Sequence, residues 1–291
     1  MNTKTTNDQR RLPVWLRKKI NWQDTKAVKN ILRDLSLNTV CEGAHCPNIS
    51  GCFARYRATF MILGAICTRG CKFCAVSKGT PLAVDQDEPQ RVARAVQALK
   101  LKHVVVTSVT RDDLADYGAD HFARTIRHLK ALNKVKIEVL TPDFQGKEEF
   151  VKKVVEAKPD VFNHNLETVP RLYAMVRPEA SYTRSIKLLK MVKELDSSIY
   201  TKSGLMLGLG ENESEVIKVM RDLREVKCDM LTLGQYLQPS LHHYPVKEYL
   251  PPVQFEQFKT IAGDLGFMSV ASGPYVRSSY MAEENYLSVL S

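Results

Sequence analysis

No apolar run in this sequence is long enough to cross a bilayer. The longest, Phe60 to Cys67, falls far short of a spanning helix. The opening stretch, Met1 to Arg11, lacks the apolar segment of a secretory signal. It carries Lys4, Arg10 and Arg11 but also Asp8 and little serine, a poor match to a mitochondrial presequence. A soluble cytoplasmic protein without a membrane partner is expected. Internal repeats and low-complexity tracts are missing, which excludes solenoid arrays. Acidic residues are the scarcer charge, 32 against 42 basic, for a formal +10. Such an excess draws acidic partners but says nothing of fold. The basic residues are scattered rather than gathered in one block, so a nucleic-acid partner is not expected. A docking face for a small acidic protein suits the charge as well as a solvated surface does. Cysteine is nearly absent outside one segment: six of seven lie between Cys41 and Cys74, and only Cys228 stands apart. No secretory context supports a disulfide framework, which makes metal binding the leading explanation.

What is present is a chain of 291 residues, 44% hydrophobic, able to bury one large core. Residues 1–58 read as irregular and polar, with one helix over Asp24–Leu35. From Thr59 a repeating pattern begins. Apolar runs at Thr59–Ile66, His103–Ser108, Val135–Leu140, Asp160–Leu166, Tyr200–Leu207 and Met230–Tyr236 read as strands. Between them lie helical stripes: Val92, Val96 and Leu99 after Pro89; Phe122, Ile126 and Leu129; Leu188, Met191, Val192 and Leu195; Val216, Val219, Met220 and Leu223. Alternation of this kind implies right-handed βαβ units on a parallel sheet. Six units predict an incomplete (β/α)6 TIM-like barrel of the α/β class rather than a closed barrel of eight. Residues 254–291 predict a helix over Phe255–Leu265, a short strand over Phe267–Ala271 and an irregular tail. Chemistry in parallel barrels gathers at the C-terminal strand edges.

A cysteine triplet begins just after the first strand: Cys67-Thr-Arg-Gly-Cys71-Lys-Phe-Cys74. Three thiolates on one tight loop suit three irons of a 4Fe–4S cube and leave the fourth iron without a protein ligand. That open iron can bind the amino and carboxylate groups of S-adenosylmethionine (SAM). A structural zinc site would want four ligands, usually as two pairs. The other triplet, Cys41-Glu-Gly-Ala-His-Cys46-Pro-Asn-Ile-Ser-Gly-Cys52, again offers three thiolates for a second cluster. With His45 between two of them, a mixed Cys/His zinc site is its alternative. Cys228 has no partner nearby and reads as a small buried hydrophobe.

C-x3-C-x2-C after a first barrel strand is the mark of the radical SAM superfamily, and within it this sequence resembles the lipoyl synthase family. The resemblance rests on Cys41-Glu, Cys46-Pro-Asn and Cys52, followed by Ala58 to Gly64 and the second triplet. It continues through Thr107 to Leu114, Asn163 to Tyr173, Val176-Arg-Pro, Thr201 to Met206 and Gly208 to Glu211. It ends with Gln235 to Ser240 and Ser272 to Tyr280. These motifs span about residues 12–285 in matching order. Five residues depart from the family pattern while sparing the cysteines: Gly43, Arg57 and Ala58, Tyr117 and Asn212.

The resemblance implies that two sulfur atoms are inserted at C6 and C8 of a protein-bound octanoyl-lysine, forming lipoyl. It implies two 4Fe–4S clusters. The one at Cys67, Cys71 and Cys74 reductively cleaves SAM to a 5′-deoxyadenosyl radical and methionine, one SAM per C–H bond. The other, at Cys41, Cys46 and Cys52, is the sulfur donor and is consumed. Its fourth ligand in the family is a serine of the C-terminal Arg-Ser-Ser-Tyr; Ser279 is expected, with Ser278 as the alternative. The second cluster is expected at the mouth of the barrel, in contact with the acyl chain. The resemblance divides the chain into a cysteine-bearing extension (1–58), the radical SAM partial barrel (59–250) and a capping C-terminal extension supplying the serine (251–291). Strand ends offer SAM contacts in Ser108, Thr110, Asn163, Asn165, Glu167, Arg177, Lys202 and Glu211, Arg177 as a fork for a carboxylate. His242 and His243 read as surface histidines. Implied partners are an octanoylated carrier domain of 2-oxo-acid dehydrogenase complexes or the glycine cleavage carrier protein, an electron donor such as flavodoxin or ferredoxin, and a cluster-repair carrier. The runner-up is another radical SAM sulfur-inserting enzyme, of the biotin synthase or methylthiotransferase kind. A basic zinc protein binding nucleic acid is the alternative from a different class.

Overall fold

The computed structural model describes residues 12–18 and 21–290; the N-terminal stretch Met1 to Arg11 lies outside them. In chain order the strands are β1 Asn38–Thr39, β2 Thr59–Ile62, β3 Ile66–Cys67, β4 Ser77–Lys78 and β5 His103–Ser108. They continue as β6 Lys136–Leu140, β7 Val161–Asn163, β8 Tyr200–Leu207, β9 Met230–Gln235 and β10 Ser269–Gly273. The helices are α1 Lys26–Asp34, α2 Val40–Gly43, α3 Ile49–Phe53, α4 Glu88–Ala98, α5 Ala119–Lys130 and α6 Glu148–Glu156. After these come α7 Tyr173–Val176, α8 Tyr182–Leu195, α9 Glu213–Glu225, α10 Pro252–Asp264 and α11 Ala282–Leu290.

One sheet runs β1-β2-β5-β6-β7-β8-β9-β10. From β2 to β10 every neighbour pairs parallel, and β1 lies antiparallel on β2 with Thr39 opposite Phe60. The partial barrel of α/β units is therefore present: six parallel strands from β2 to β9, extended by β10. β3 and β4 form a separate small ladder. Its separation cuts the expected first strand short at Ile62. Leu63 and Gly64 take left-handed φ values of 66° and 93°, which end the extended run. The helical stripes face the sheet as their spacing requires. Phe122, Ile126 and Leu129 are buried on α5, and Val216, Val219, Met220 and Leu223 on α9. Asn212 caps α9 in a capping box with Glu215, which gives that departure from the family pattern a local role.

Two expectations need correction. The polar N-terminal region is not wholly irregular, because α2, α3 and β1 build on the barrel edge. The tail is not irregular either: α11 carries Tyr286 and Val289 into a small core with Val161 and Met230. Short and weakly amphipathic, this helix is stabilised by tertiary packing rather than by a stripe visible in sequence. No helix among the described residues is long and apolar enough to cross a membrane.

Polar groups are locked inside the barrel. His164 is buried, its ring nitrogens 2.9 Å from the Thr141 carbonyl and 2.9 Å from Ser185 Oγ. Burial, aided by nearby Arg177, pushes it down to about 4. The folded protein thus holds it neutral while the unfolded chain takes up a proton below about pH 6.5, so stability falls with acidification between those values. Lowering the pH from 7 to 5 is expected to cost about 2 kcal/mol through this group. Urea midpoints at the two values, compared with His164→Gln, check it. An unchanged pH slope in that variant would refute the assignment.

Candidate active site

The loop carrying Cys67, Cys71 and Cys74 leaves the C-terminal end of β2 and is closed by the β3–β4 pairing. It is pinned by loops that follow the barrel strands. Thr68 N donates to Thr110 O at 3.0 Å, Lys72 N to Val176 O at 2.8 Å and Tyr244 N to Lys72 O at 2.8 Å. Arg69, buried, bridges Asp112 at 2.6 Å and Asp143 at 2.7 Å. His243 reaches the Cys74 carbonyl with Nε2 at 3.1 Å, so it is part of the loop's support and not a bland surface histidine. Nothing in the sequence around it gave that away. His242 is exposed, as expected.

All three thiols are half-buried. Burial pushes the Cys74 thiol up to about 12, opposed by the Val76 backbone and reinforced by the neighbouring Cys71 and Cys67. Burial also raises Cys71, against the pull of Arg177. Thr110 N lies 3.3 Å from Cys67 Sγ. Three thiols packed together, with an amide and a guanidinium facing them, are a donor set suited to an anionic metal–thiolate group.

Beside them opens a cavity of about 520 Å³, within the range of small-molecule sites. Ser108, Thr110, Asn165, Glu167 and Arg177 all line it. Asn165 Nδ2 holds Glu167 Oε1 at 3.1 Å, and Arg177 Nη1 spends its protons on the Asn165 and Leu166 carbonyls at 3.0 and 2.9 Å. Arg177 Nε and Ser108 Oγ are buried without a partner among the described residues. An unpaired guanidinium N–H beside the cysteine loop fits an incoming carboxylate.

Three expected SAM contacts do not line this cavity. Asn163 donates to Glu138 and to Ser278 Oγ, both at 3.0 Å. Lys202 is fully buried, with Nζ 2.9 and 3.1 Å from the Glu138 oxygens. It is the third residue of an eight-residue strand and sits deep in the barrel, not at its edge. Glu211 folds over its own loop, accepting from Leu209 N at 2.9 Å and from Gly208 N.

The second triplet lies elsewhere than expected. Cys41, on α2, packs against Thr59, the first residue of β2, whereas Cys67 follows that strand's other end. The two triplets thus stand at opposite ends of β2, roughly 10 Å of strand apart, and not together at the mouth. Burial, with neighbouring Cys46, pushes the Cys41 thiol up to about 12. Cys41, Cys46, Cys52 and Ser279 line one cavity of about 370 Å³. Thr59 Oγ1 donates to Ser279 Oγ at 2.8 Å, while Ser278 turns inward to Asn165 Oδ1 at 2.8 Å. The serine-bearing turn lies on β9, where a side chain at Gly234 would meet the Val276 carbonyl at 2.1 Å. Asn48 ties α3 to this turn through the Tyr275 carbonyl at 2.7 Å, and Arg57 pairs with Glu283 and Glu284 of α11. His45 is exposed. Among the described residues no three or more His, Cys, Asp or Glu converge closely enough to hold a single metal ion. Thiols around a cube need not converge, since each takes a different iron. Cys228 is fully buried in a core between Leu223 and Met230.

A six-unit partial barrel with a three-cysteine loop after its first strand defines a radical SAM protein, and the Radical SAM superfamily model matches residues 61–223. Solved relatives share the fold: methylornithine synthase at TM-score 0.59 and 14% identity, over 84% of this chain and 74% of its own. Streptococcus suis SuiB, solved bound to S-adenosylmethionine, gives TM-score 0.55 at 15% identity, over 77% of this chain and 47% of its own. Sequence relatives are far closer. The lipoyl synthase of Caldanaerobacter subterraneus subsp. tengcongensis is 60% identical, over 94% of this chain and 96% of its own length. Those of Caldicellulosiruptor saccharolyticus and Alkaliphilus metalliredigens are each 56% identical, over 95% and 94% of this chain and 98% and 96% of theirs. The chain belongs to the lipoyl synthase family.

Proposed function

We propose that this protein is a cytoplasmic sulfurtransferase that places sulfur at C6 and C8 of an octanoyl group held on a lysine of a small carrier domain. One observation carries the reading: Cys41, Cys46 and Ser279 line both the cavity of the second triplet and the larger cavity beside Cys67, Cys71 and Cys74. An acyl chain in the larger cavity therefore reaches both cysteine sets. When bound, a 4Fe–4S cluster at Cys67, Cys71 and Cys74 supplies the electron that cleaves SAM, and a second, at Cys41, Cys46, Cys52 and Ser279, supplies the sulfur.

The chain's own residues position the reactants. Arg177 and Ser108 offer unpaired donors to SAM's carboxylate, with Thr110, Asn165 and Glu167 alongside. Asn163, Lys202 and Glu211 support the barrel from outside that wall. Val40, Met61, Leu140 and Leu205 line the route between the cysteine sets and exclude water from a reactive carbon. In this reading the described residues of the segments 1–58 and 251–291 form the second cluster's housing, and 59–250 the radical-generating barrel. The partner is an acidic lipoyl carrier domain of a 2-oxo-acid dehydrogenase complex or of glycine cleavage. Flavodoxin or ferredoxin supplies electrons, and a carrier rebuilds the second cluster.

The test is mass analysis of an octanoyl-lysyl peptide incubated anaerobically with reconstituted protein, SAM and reductant. A gain of two sulfurs with release of 5′-deoxyadenosine and methionine is expected; deoxyadenosine without sulfur transfer would overturn the reading. For the serine ligand, Ser279→Ala is expected to lower sulfur transfer about 10- to 100-fold while SAM cleavage persists. Ser278→Ala, which loses contacts to Asn163 and Asn165 alone, should cost less. The reverse order would assign the ligand to Ser278.

A further inference from the structure

The cavity that holds the second triplet has an opening of its own. It reaches the surface between α3, the C-terminal turn and the segment 99–102 that joins α4 to β5, at the strand-start end of the barrel. Cys52 lines this cavity and not the larger one. Its arginines and lysines are Lys18, Arg55, Arg57, Lys100, Lys102 and Arg277, against a single carboxylate, Glu283. Arg57 is neutralised by Glu283 and Glu284. The other five form no ion pair among the described residues, and Lys18, Arg55, Lys100 and Lys102 are exposed. A carboxylate-poor, cation-rimmed cleft focuses anions toward its floor, and here the floor is Cys41, Cys46 and Cys52.

We propose that this basic opening is the port through which a thiolate-ligated 4Fe–4S cluster, an anion, is passed to the second triplet. The inference rests on the sulfur-donor reading above, in which the second cluster is consumed and must be replaced. The step is ligand exchange without electron transfer. Each cysteine thiol replaces one incoming thiolate on iron, and its proton leaves on the displaced thiol. A cube carries two positive charges and its four thiolates four negative ones, so the incoming complex is a dianion. Attraction by the rim raises its encounter rate, and salt suppresses that gain because charges further apart than a Debye length, about 10 Å at 0.1 M, are largely screened.

The test uses the full chain with Cys67, Cys71 and Cys74 all changed to alanine, so that only the second triplet loads. Two synthetic clusters serve as probes: the 2-mercaptoethanol-ligated dianion and the 3-mercaptopropionate-ligated complex, whose four extra carboxylates make it a hexaanion. Uptake is read as protein-bound iron and acid-labile sulfide over time. Arg55→Glu with Lys100→Glu and Lys102→Glu is expected to slow loading about 10-fold at low salt, more for the hexaanion, and the difference should vanish at high salt. The Gln versions of the same three changes should fall between. Equal loading rates with both probes, or a slowing that salt does not relieve, would overturn the port. Lipoyl formation by the intact protein is scored separately: its absence would sink the sulfur-transfer reading and leave the loading comparison legible.

Discussion

Reconstituted Cys46→Ala protein is expected to cleave SAM and to transfer no sulfur, whereas Cys71→Ala is expected to do neither. The two cysteine sets sit at opposite ends of one short strand, each in its own surroundings. Cys71 faces Arg177, and Cys67 faces the Thr110 amide, beside the cavity that holds the unpaired Arg177 Nε and Ser108 Oγ. Removing Cys71 takes one of the three proposed iron ligands from the loop that abuts this cavity, so deoxyadenosine formation should drop to background. Cys46 lies across the barrel, among Cys41, Cys52 and Ser279. Its loss leaves the loop after β2 and all its pins intact. On the proposed two-cluster reading, acid-labile sulfide should fall by about half in either variant. Deoxyadenosine production would be measured by chromatography and sulfur insertion by peptide mass. Sulfur transfer by Cys46→Ala, or cleavage by Cys71→Ala, would reverse or dissolve the division of labour.

Much of the site was legible because its chemistry is local. Three cysteines within eight residues define a loop whatever the fold around them, and parallel-barrel logic puts it at a strand end. The strand limits His103–Ser108 and Tyr200–Leu207 match the sequence reading residue for residue: the first carries a buried valine run, and the second closes on Leu205-Met-Leu207 after buried polar residues. Contacts made across the barrel were less legible. The placement of the second triplet depends on β1 pairing antiparallel with β2, two residues that no periodicity marks. Helix α11 has a small apolar face that only its neighbours complete, and His243 joins the cysteine loop through a backbone carbonyl. Ser278 and Ser279 are adjacent in sequence and face opposite ways. What separates them is the close seat of their turn on Gly234, a feature of packing rather than of composition.

Lys202 shows most sharply how a polar residue in the right strand can serve the fold alone. Fully buried, it meets a Glu138 that is itself fully buried, with His103 Nε2 3.6 Å from the same carboxylate. Burial alone would raise Glu138; Lys202 and His103 outweigh it and hold the carboxyl down at about 2. Its folded value lies below the unfolded one, so the pair's stabilisation is complete above about pH 4.5 and is lost as pH falls toward 2. Lys202→Met should therefore destabilise the protein by about 3–5 kcal/mol at neutral pH, because it strands a carboxylate inside the barrel. Glu138→Leu combined with Lys202→Met should recover most of that loss, since an apolar pair of similar volume needs no counter-charge. Denaturant melts of the single and double variants measure the coupling directly. SAM affinity of the folded Lys202→Met protein should stay within about twofold of the parent, as additivity holds for residues without shared contacts. If stability is unchanged while SAM binding collapses, Lys202 belongs to the SAM site after all, and the barrel's buried charge pair is not what holds it there.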